Sequence, residues 1–132
     1  MKVRLDFVTN SSSSSFIIAM NPDTVGVAAI EAFVACKGDY DETTPGSLFT
    51  TKEAWTAHFV DDYKHKDETV EAMWERLRDY PDALELYNKG IEVFDKGMVI
   101  VLKYIAYSAE SLSDFLYSLA KNPENCLIIY DD

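Results

Sequence analysis

The chain has 132 residues, close to the usual size of one domain, and 48% of them are hydrophobic, which is enough for one core without metal or disulfide cross-links. Its 23 acidic and 12 basic side chains give a net charge of −11. This excess of carboxylates argues against binding to phosphate backbones or anionic lipid, because both require clustered lysine and arginine. We therefore expect one domain over residues 1–132, with no direct nucleic-acid binding and no membrane association.

Cysteine usage and hydropathy predict a cytoplasmic protein. Cys36 and Cys126 are far apart and form no CxxC pair, so we expect free thiols of a reducing compartment. The longest purely apolar runs, such as Met98–Leu102, are far shorter than the roughly 20 residues that span a bilayer. The N-terminal residues do not resemble a signal peptide, and no pattern calls for a cofactor.

The N-terminal part predicts two strands joined by a loop. Lys2–Val8 alternates apolar and polar residues, as a half-buried strand does. Thr9–Ser15 has no apolar face, and its hydroxyls compete for backbone hydrogen bonds, which is typical of a loop. Phe16–Met20 is a short apolar run and predicts the second strand.

A first helix is predicted between Asn21 and Gly38. Asn21 is a good N-cap, Pro22 suits the first helical position, and Gly38 suits the end. The apolar stripe at helical spacing consists of Val25, Ala29, Ala32, Phe33 and Cys36. The segment from Asp39 to Phe49 is polar and contains a Pro45–Gly46 turn, which predicts a connection.

The middle of the chain predicts further helices. Thr50 with Glu53 forms a capping box, and Trp55, Phe59 and Tyr63 follow on one face. A third helix is expected to start near Asp67 and to be interrupted by Pro81. Its expected inward residues are Val70, Met73, Trp74, Leu77 and Tyr80. A short helical piece over residues 82–89 should stop at Gly90.

The last third predicts mostly strands. Ile91–Phe94 and Met98–Tyr107 flank Asp95–Gly97, a pattern typical of a hairpin. Met98–Leu102 is apolar on both faces, which predicts a central, covered strand. A helix capped by Ser108 or Ser111 follows, with Leu112, Phe115, Leu116 and Leu119 facing inward. Cys126–Tyr130 is the expected final strand.

These elements predict an α+β domain with a mixed sheet of four or five strands covered by about four helices. The stretch from Met98 to Tyr130 reads as one C-terminal β-α-β unit, which would make part of the sheet parallel.

The serine tract is the first candidate site. It comprises Asn10, Ser11, Ser12, Ser13, Ser14 and Ser15, whose backbone N–H groups could bind an anion. It lacks the glycines and lysine of a phosphate-binding loop, so a solvated loop is the alternative. The segment Asp6–Phe16 (DFVTNSSSSSF) resembles a segment that recurs at the start of small uncharacterised bacterial and phage proteins. The resemblance covers about the first 20 residues and implies a bacterial or mobile-element origin without assigning an activity.

A second candidate lies on the predicted second helix. His58, Asp62 and His65 are spaced so that one helix face can carry them, and histidine with carboxylate can bind a divalent metal. The set lacks the HExxH pattern of a zinc enzyme. An ordinary solvated helix face is the alternative, and we expect no metal.

The acidic middle of the chain is the third candidate. Residues 39–92 carry 14 acidic and 6 basic side chains, which is −8 of the total net charge. The acidic residues we single out are Asp61, Asp62, Glu68, Glu71 and Glu75. Such a surface could occupy a basic groove on another protein by electrostatic complementarity. A solvated helical surface with interspersed lysine and arginine is the alternative.

Two classes of function remain open. The first is a non-catalytic interaction module, such as an acidic inhibitor or adaptor of phage or mobile-element origin, whose partner has a basic surface. The second is a small ligand- or metal-binding enzyme domain that uses the serine loop or the His58/His65 face. No catalytic constellation is apparent from residue spacing, so we expect the first class.

Overall fold

The protein forms a four-stranded sheet with helices on both faces. The computed structural model describes residues 13–36, 46–106 and 110–131. The strand order is β2-β3-β1-β4, and each neighbouring pair is antiparallel. The elements in chain order are β1 (Ser13–Met20), α1 (Val27–Ala35), β2 (Ser47–Phe49), α2 (Lys52–Tyr63), α3 (Val70–Leu77), α4 (Pro81–Asp95), β3 (Val99–Ala106), α5 (Glu110–Ala120) and β4 (Cys126–Asp131).

The two inner strands are the most apolar segments of the described chain. β1 pairs with both β3 and β4, and its residues from Phe16 to Met20 are all buried. β3 lies between β1 and β2, which confirms the prediction that Met98–Leu102 contributes a central, covered strand. A strand buried on both faces must be apolar at consecutive positions, and this explains the run at the start of β3.

Helices cover the sheet in two layers. On one face, Ile30 and Phe33 of α1 and Leu116 of α5 pack against alternate residues of β1 and β3. On the other face, Trp55 of α2 and Val93 of α4 complete a second cluster. α3 packs on α2 and α4 in a third cluster around Phe59, Met73, Leu77 and Ala83. The charged helices α2–α4 therefore lie on the opposite side of the sheet from α1 and α5.

The α+β class is confirmed, but the predicted sheet is wrong in detail. The described residues form five helices and four strands, and neighbouring strands are antiparallel throughout. β3 and β4 run in the same direction, as a β-α-β unit requires, but β1 lies between them. Local sequence patterns do not determine strand order. β1 lies between β3 and β4 because both of its faces are apolar.

The serine tract is part of the sheet rather than wholly a loop. Ser13, Ser14 and Ser15 belong to β1 and pair with Ala106, Ile105 and Tyr104 of β3. The prediction of a loop is therefore wrong for these three residues, because pairing with an apolar neighbouring strand outweighs the poor strand propensity of serine. The predicted strand Lys2–Val8 and the stretch Thr9–Ser12 lie outside the described residues.

Helix α1 starts later than expected. Asn21 does not cap it. The Asn21 carbonyl closes a turn by accepting from the Thr24 and Val25 amides, and its side-chain Oδ1 accepts from the Asp23 amide. Gly26 precedes the helix with a φ of 99°, a conformation that favours glycine. The predicted stripe is correct for Phe33, which is buried, but wrong for Ala29 and Ala32, which are exposed, and it missed the buried Ile30.

The hairpin predicted around Asp95–Gly97 is wrong, because its first strand is part of helix α4. Pro81 begins the helix rather than interrupting one, since proline suits the first helical position. The helix continues through Gly90 to Asp95, so Ile91–Phe94 is helical and not a strand. Gly97, with a φ of 82°, follows the helix, and its amide donates to the Phe94 carbonyl. Asp95–Gly97 is thus a helix end.

The remaining helix starts lie within a few residues of their predicted positions. Thr51, not Thr50, caps α2 by accepting from the Ala54 amide at 3.1 Å, and Thr69 caps α3 by accepting from Ala72 at 3.0 Å. α5 begins at Glu110, so the alternative cap at Ser111 is wrong, and Ser108 lies outside the described residues.

Some expected assignments in these segments are also wrong. β2 was not expected, because its three residues lie within the polar stretch assigned to a connection. Tyr80 and Phe115, both predicted to face inward, are 56% and 40% exposed. β4 confirms the expected last strand.

Candidate protein-interaction surface

Six exposed carboxylates lie on α3, on α4 and on the turn between these helices, and we call this set the acidic face. Met73 and Leu77 of α3 and Ala83 and Val93 of α4 are buried in the core, so the positions between them point outward. The members of the acidic face are Glu71, Glu75, Asp79, Asp82, Glu85 and Glu92, all of them exposed. Glu71 and Asp82 lie in first helical turns, where a negative charge is favourable.

Basic side chains compensate this charge only in part. Within the described residues, Glu75 pairs with Arg78 at 3.3 Å and Glu85 with Lys89 at 3.7 Å. All four side chains are more than half exposed, and exposed pairs of this kind contribute about 0–1 kcal/mol. Glu71, Asp79, Asp82 and Glu92 form no ion pair with another described residue. Residues 70–95 therefore keep a net charge of −4.

Tyr80 is an exposed aromatic residue next to two members of the acidic face in the sequence. Tyr80 precedes α4, with Asp79 and Asp82 on either side in the sequence, and is 56% exposed. Val70, at the start of α3, is 39% exposed. Large exposed aromatic residues surrounded by charges are typical of energetic centres in protein interfaces. A shallow groove on the same helices is lined by Arg78, Pro81, Leu84, Glu85, Asn88, Lys89 and Glu92.

Glu68, singled out from the sequence as a binding residue, is engaged within the chain. Arg76 donates to both of its carboxylate oxygens at 2.8 Å, and the His65 amide donates to Oε1 at 2.9 Å. The hydrogen bonds from Arg76, and then from the His65 amide, hold the pKa of Glu68 at about 2. Arg76 also donates to the Tyr63 carbonyl at 2.7 Å, so the group ties the end of α2 to α3.

Asp61 and Asp62 lie on the exposed side of α2, away from the acidic face in sequence. Asp61 lines a shallow groove together with Lys64, His65 and Lys66, so its surroundings are of mixed charge. Burial, and then the charge of Asp62, raises the pKa of Tyr63. Of the five acidic residues predicted from sequence, Glu71 and Glu75 therefore lie on the acidic face.

The predicted histidine face does not gather metal ligands. The His58 ring packs against Phe49 with ring centroids 4.9 Å apart and against Trp55 at 5.9 Å. His65 lies beyond the end of α2, is exposed, and approaches Glu68 at 3.9 Å. No three histidine, cysteine, aspartate or glutamate residues in the described ranges are grouped as a metal site. This holds for His58, Asp62 and His65, all of which are described.

The serine tract is described only in part. Asn10, Ser11 and Ser12 lie outside the described residues, whereas Ser13, Ser14 and Ser15 form the start of β1. Their amides and carbonyls lie on a strand that pairs with β3, which leaves these three residues on a strand and not in an anion-binding loop.

A buried lysine was missed at the sequence level. Lys103 on β3 is 1% exposed and donates to the Val34 carbonyl at 3.2 Å and to the Cys36 carbonyl, with its Nζ 5.8 Å from the centre of the Phe33 ring. Burial lowers the pKa of Lys103. The negative end of α1 thus receives the ammonium group. The signal was a single charged residue at a core-facing position between Val101 and Ile105.

The two cysteines are free thiols. Cys126 is buried, and burial raises the pKa of its thiol to about 11, which makes it unreactive. Cys36, predicted to be buried, is only partly so.

No protein-family model, no curated protein and no solved structure matches this chain. None of the helices in the described ranges has the length and apolar character that a transmembrane helix requires.

Proposed function

We propose that this chain is a non-catalytic protein-interaction module whose acidic face binds a partner with a basic surface. The observation that carries the proposal is the combination of exposed, unpaired carboxylates with the exposed Tyr80, which lies between Asp79 and Asp82 in the sequence. Neither feature contributes to the core, because the inward side of α3 and α4 is occupied by Met73, Leu77 and Ala83.

The charges of this surface would act mainly on encounter and specificity. Carboxylates at the surface attract a basic partner over about one Debye length, about 8 Å at physiological salt, and raise the association rate. Tyr80 would supply the apolar contact that lowers the dissociation rate, since aromatic residues dominate interface energetics. Surfaces that normally bind nucleic acid are basic, so an inhibitor or adaptor that occupies such a groove is the specific form we propose.

The test compares two baits that differ only in where three charges are removed. The first carries Glu71→Gln, Asp82→Asn and Glu92→Gln on the acidic face. The matched control carries Asp23→Asn, Glu31→Gln and Asp114→Asn, three exposed acidic residues that lie in the turn before α1, on α1 and on α5. Each bait has the same net charge, so any difference between them reports the location of the charges.

Both baits and the wild type are used to capture proteins from a lysate of the source cells, and binding of any captured protein is then measured with purified components. We expect a basic protein that the wild type and the control retain and the acidic-face bait loses, with affinity falling as salt rises. Tyr80→Ala should weaken the same complex at least fivefold, in line with an interface centre that contributes more than about 1 kcal/mol. Equal loss with both triple variants would overturn the proposal, since net charge alone would then explain binding.

A further inference from the structure

Helix α3 is joined to the rest of the molecule by few buried side chains. Of its eight residues, only Met73 and Leu77 are buried. The cluster that contains them is completed by residues of α2 and α4, and none of its described members belongs to a strand. Isolated helices shorter than about 12 residues are marginal in water, so α3 depends on its contacts with α2 and α4.

Arg76, in the last turn of α3, provides polar connections to the segment before this helix. Its Nε and Nη2 donate to the two carboxylate oxygens of Glu68 at 2.8 Å each, and Nη2 also donates to the Tyr63 carbonyl at 2.7 Å. Tyr63 is the last residue of α2, and Glu68 also accepts from the His65 amide. Paired, charge-assisted hydrogen bonds of this kind are stronger and geometrically more specific than single neutral ones. Arg76 thus joins α3 to the end of α2.

The pair of Arg76 with Glu68 differs from the surface ion pair next to it. Its side chains are 29% and 12% exposed, whereas those of Arg78 and Glu75 are 74% and 68% exposed. Exposed pairs contribute little, because water and salt screen them. A partly buried carboxylate that loses its partner keeps a desolvation penalty. Loss of Arg76 should therefore loosen α3, whereas loss of Arg78 should not.

The sheet is held far more extensively than α3. β1 and β3 pair over eight residues, and Ile17, Ile18, Ile100 and Val101 are at most 2% exposed. Elements with few buried contacts open at a lower free energy than the core, and they open as cooperative units. Opening of α3 would leave the strand pairing in place, since the cluster under α3 contains no described strand residue.

We propose that α3 is a separately opening unit of this protein and that the hydrogen bonds of Arg76 to Glu68 and to the Tyr63 carbonyl keep it closed. Opening would separate the part of the acidic face on α3 from the part on α4. A partner that contacts both parts would therefore select the closed form. The opening follows from the packing of α3, and only this consequence for binding rests on the proposed function.

The test is native-state hydrogen exchange of the full chain, measured by NMR on the wild type and three variants. Arg76→Met and Arg78→Met each remove one positive charge near the end of α3, but only the first removes the hydrogen bonds to Glu68. Ile100→Val removes a methyl group from the buried part of β3. It raises the free energy of the closed form and of the form with α3 open equally, so it accelerates only exchange that requires unfolding of the sheet.

The comparison of the wild type with Ile100→Val tests whether α3 opens separately. In the wild type, we expect protection factors at Trp74 and Leu77 of α3 to be at least about tenfold lower than at Ala19 and Val101 of the sheet. Ile100→Val should accelerate exchange of the sheet amides about fivefold and leave that of the α3 amides unchanged. Equal acceleration of both groups would overturn the proposal, since α3 would then open only with the whole domain.

The two arginine variants test the role of Arg76. Arg76→Met should accelerate exchange of the α3 amides at least about tenfold, and Arg78→Met less than about twofold. Arg76→Lys, which keeps the charge but not the paired geometry, is the milder variant if Arg76→Met does not fold, and it should also accelerate this exchange more than Arg78→Met does. Equal effects at both positions would show that Arg76 does not keep α3 closed.

A decalysine peptide serves as the probe for a basic partner. At twice its dissociation constant, it should slow exchange of the wild-type α3 amides about threefold, because the open form lacks the complete acidic face. If α3 opens separately but the bound peptide does not slow its exchange, the consequence for binding is wrong and the opening stands. The failure of the proposed function is in this way distinguished from the failure of the opening.

Discussion

Gly90→Ala should destabilise this protein, although alanine normally stabilises a helix interior relative to glycine by about 1 kcal/mol. Gly90 lies inside α4 and is buried. A Cβ at this position would lie 2.3 Å from Nε1 and 2.5 Å from Cε2 of Trp55. Trp55 is 2% exposed, and its Nε1 donates to the Tyr87 carbonyl at 3.1 Å. The indole is rigid and enclosed, so either the ring or the helix must move.

The expected cost follows from three contributions. Overpacking in a close-packed core costs typically about 1–3 kcal/mol. Displacement of the indole would leave a buried N–H without its acceptor, which costs about 1–3 kcal/mol more. The gain in helix propensity offsets about 1 kcal/mol of this. We therefore expect a net loss of roughly 3 kcal/mol, which lowers Tm by about 10 °C for a domain of this size.

The decisive measurement is a double-mutant cycle with Trp55→Leu, monitored by urea unfolding. Leucine has no atom in the place of the indole Nε1, Cε2 and Cζ2, which lie nearest to Gly90, so Gly90→Ala in the Trp55→Leu background should stabilise the protein by up to about 1 kcal/mol. The sign of the effect should thus invert between the two backgrounds. A Gly90→Ala substitution that stabilises the wild type would refute the argument that contact with Trp55 requires this glycine.

Three further predictions address the rest of the fold. Glu68→Gln should destabilise the protein at pH 6 but not near pH 2. The pKa of Glu68 is about 2 in the folded state, so its contribution to stability is lost as the pH falls from about 4.5 toward 2. Equal unfolding midpoints of the variant and the wild type at pH 6 would contradict this. Ile100→Asp should abolish soluble expression, because an unpaired carboxylate at this fully buried position costs several kcal/mol, and a cooperatively folded variant would exclude the inner-strand assignment. Lys103→Met should increase amide exchange in the last turn of α1 by about five- to tenfold, and unchanged protection there would show that the lysine does not hold this end.

Where an element depends on short-range patterns, it could be predicted from the sequence. Cys126–Tyr130 and the central position of Met98–Leu102 were predicted correctly, because a short apolar run can only be stable when it is covered. The amphipathic pattern of Met73 and Leu77 placed α3, although its start lies at Val70 and not near Asp67. The capping box predicted at Thr50 placed the start of α2 to within one residue. The outward position of Glu71 and Glu75 follows from the same periodicity.

Where a residue depends on a distant neighbour, the sequence pattern was misleading. The sequence pattern assigns Gly90 to a helix end, but Gly90 lies inside α4. A glycine is required there because Trp55, 35 positions earlier, leaves no room for a side chain. Ser13–Ser15 reads as a loop, but β3 supplies a partner strand. Asn21 reads as a helix cap, but its side-chain amide donates to the Glu124 carbonyl and anchors the turn between β1 and α1 next to the start of β4.

The acidic character of this protein and its helical surface is thus a property of the sequence alone, because charge and periodicity are local. Which carboxylates are available is a property of the tertiary structure: Arg76 engages Glu68, whereas Glu71, Asp82 and Glu92 face solvent. The burial of Lys103 and the exposure of Tyr80 were also decided by the tertiary structure. Each of these depends on which elements meet across the sheet, and that arrangement is set by contacts between residues far apart in the chain.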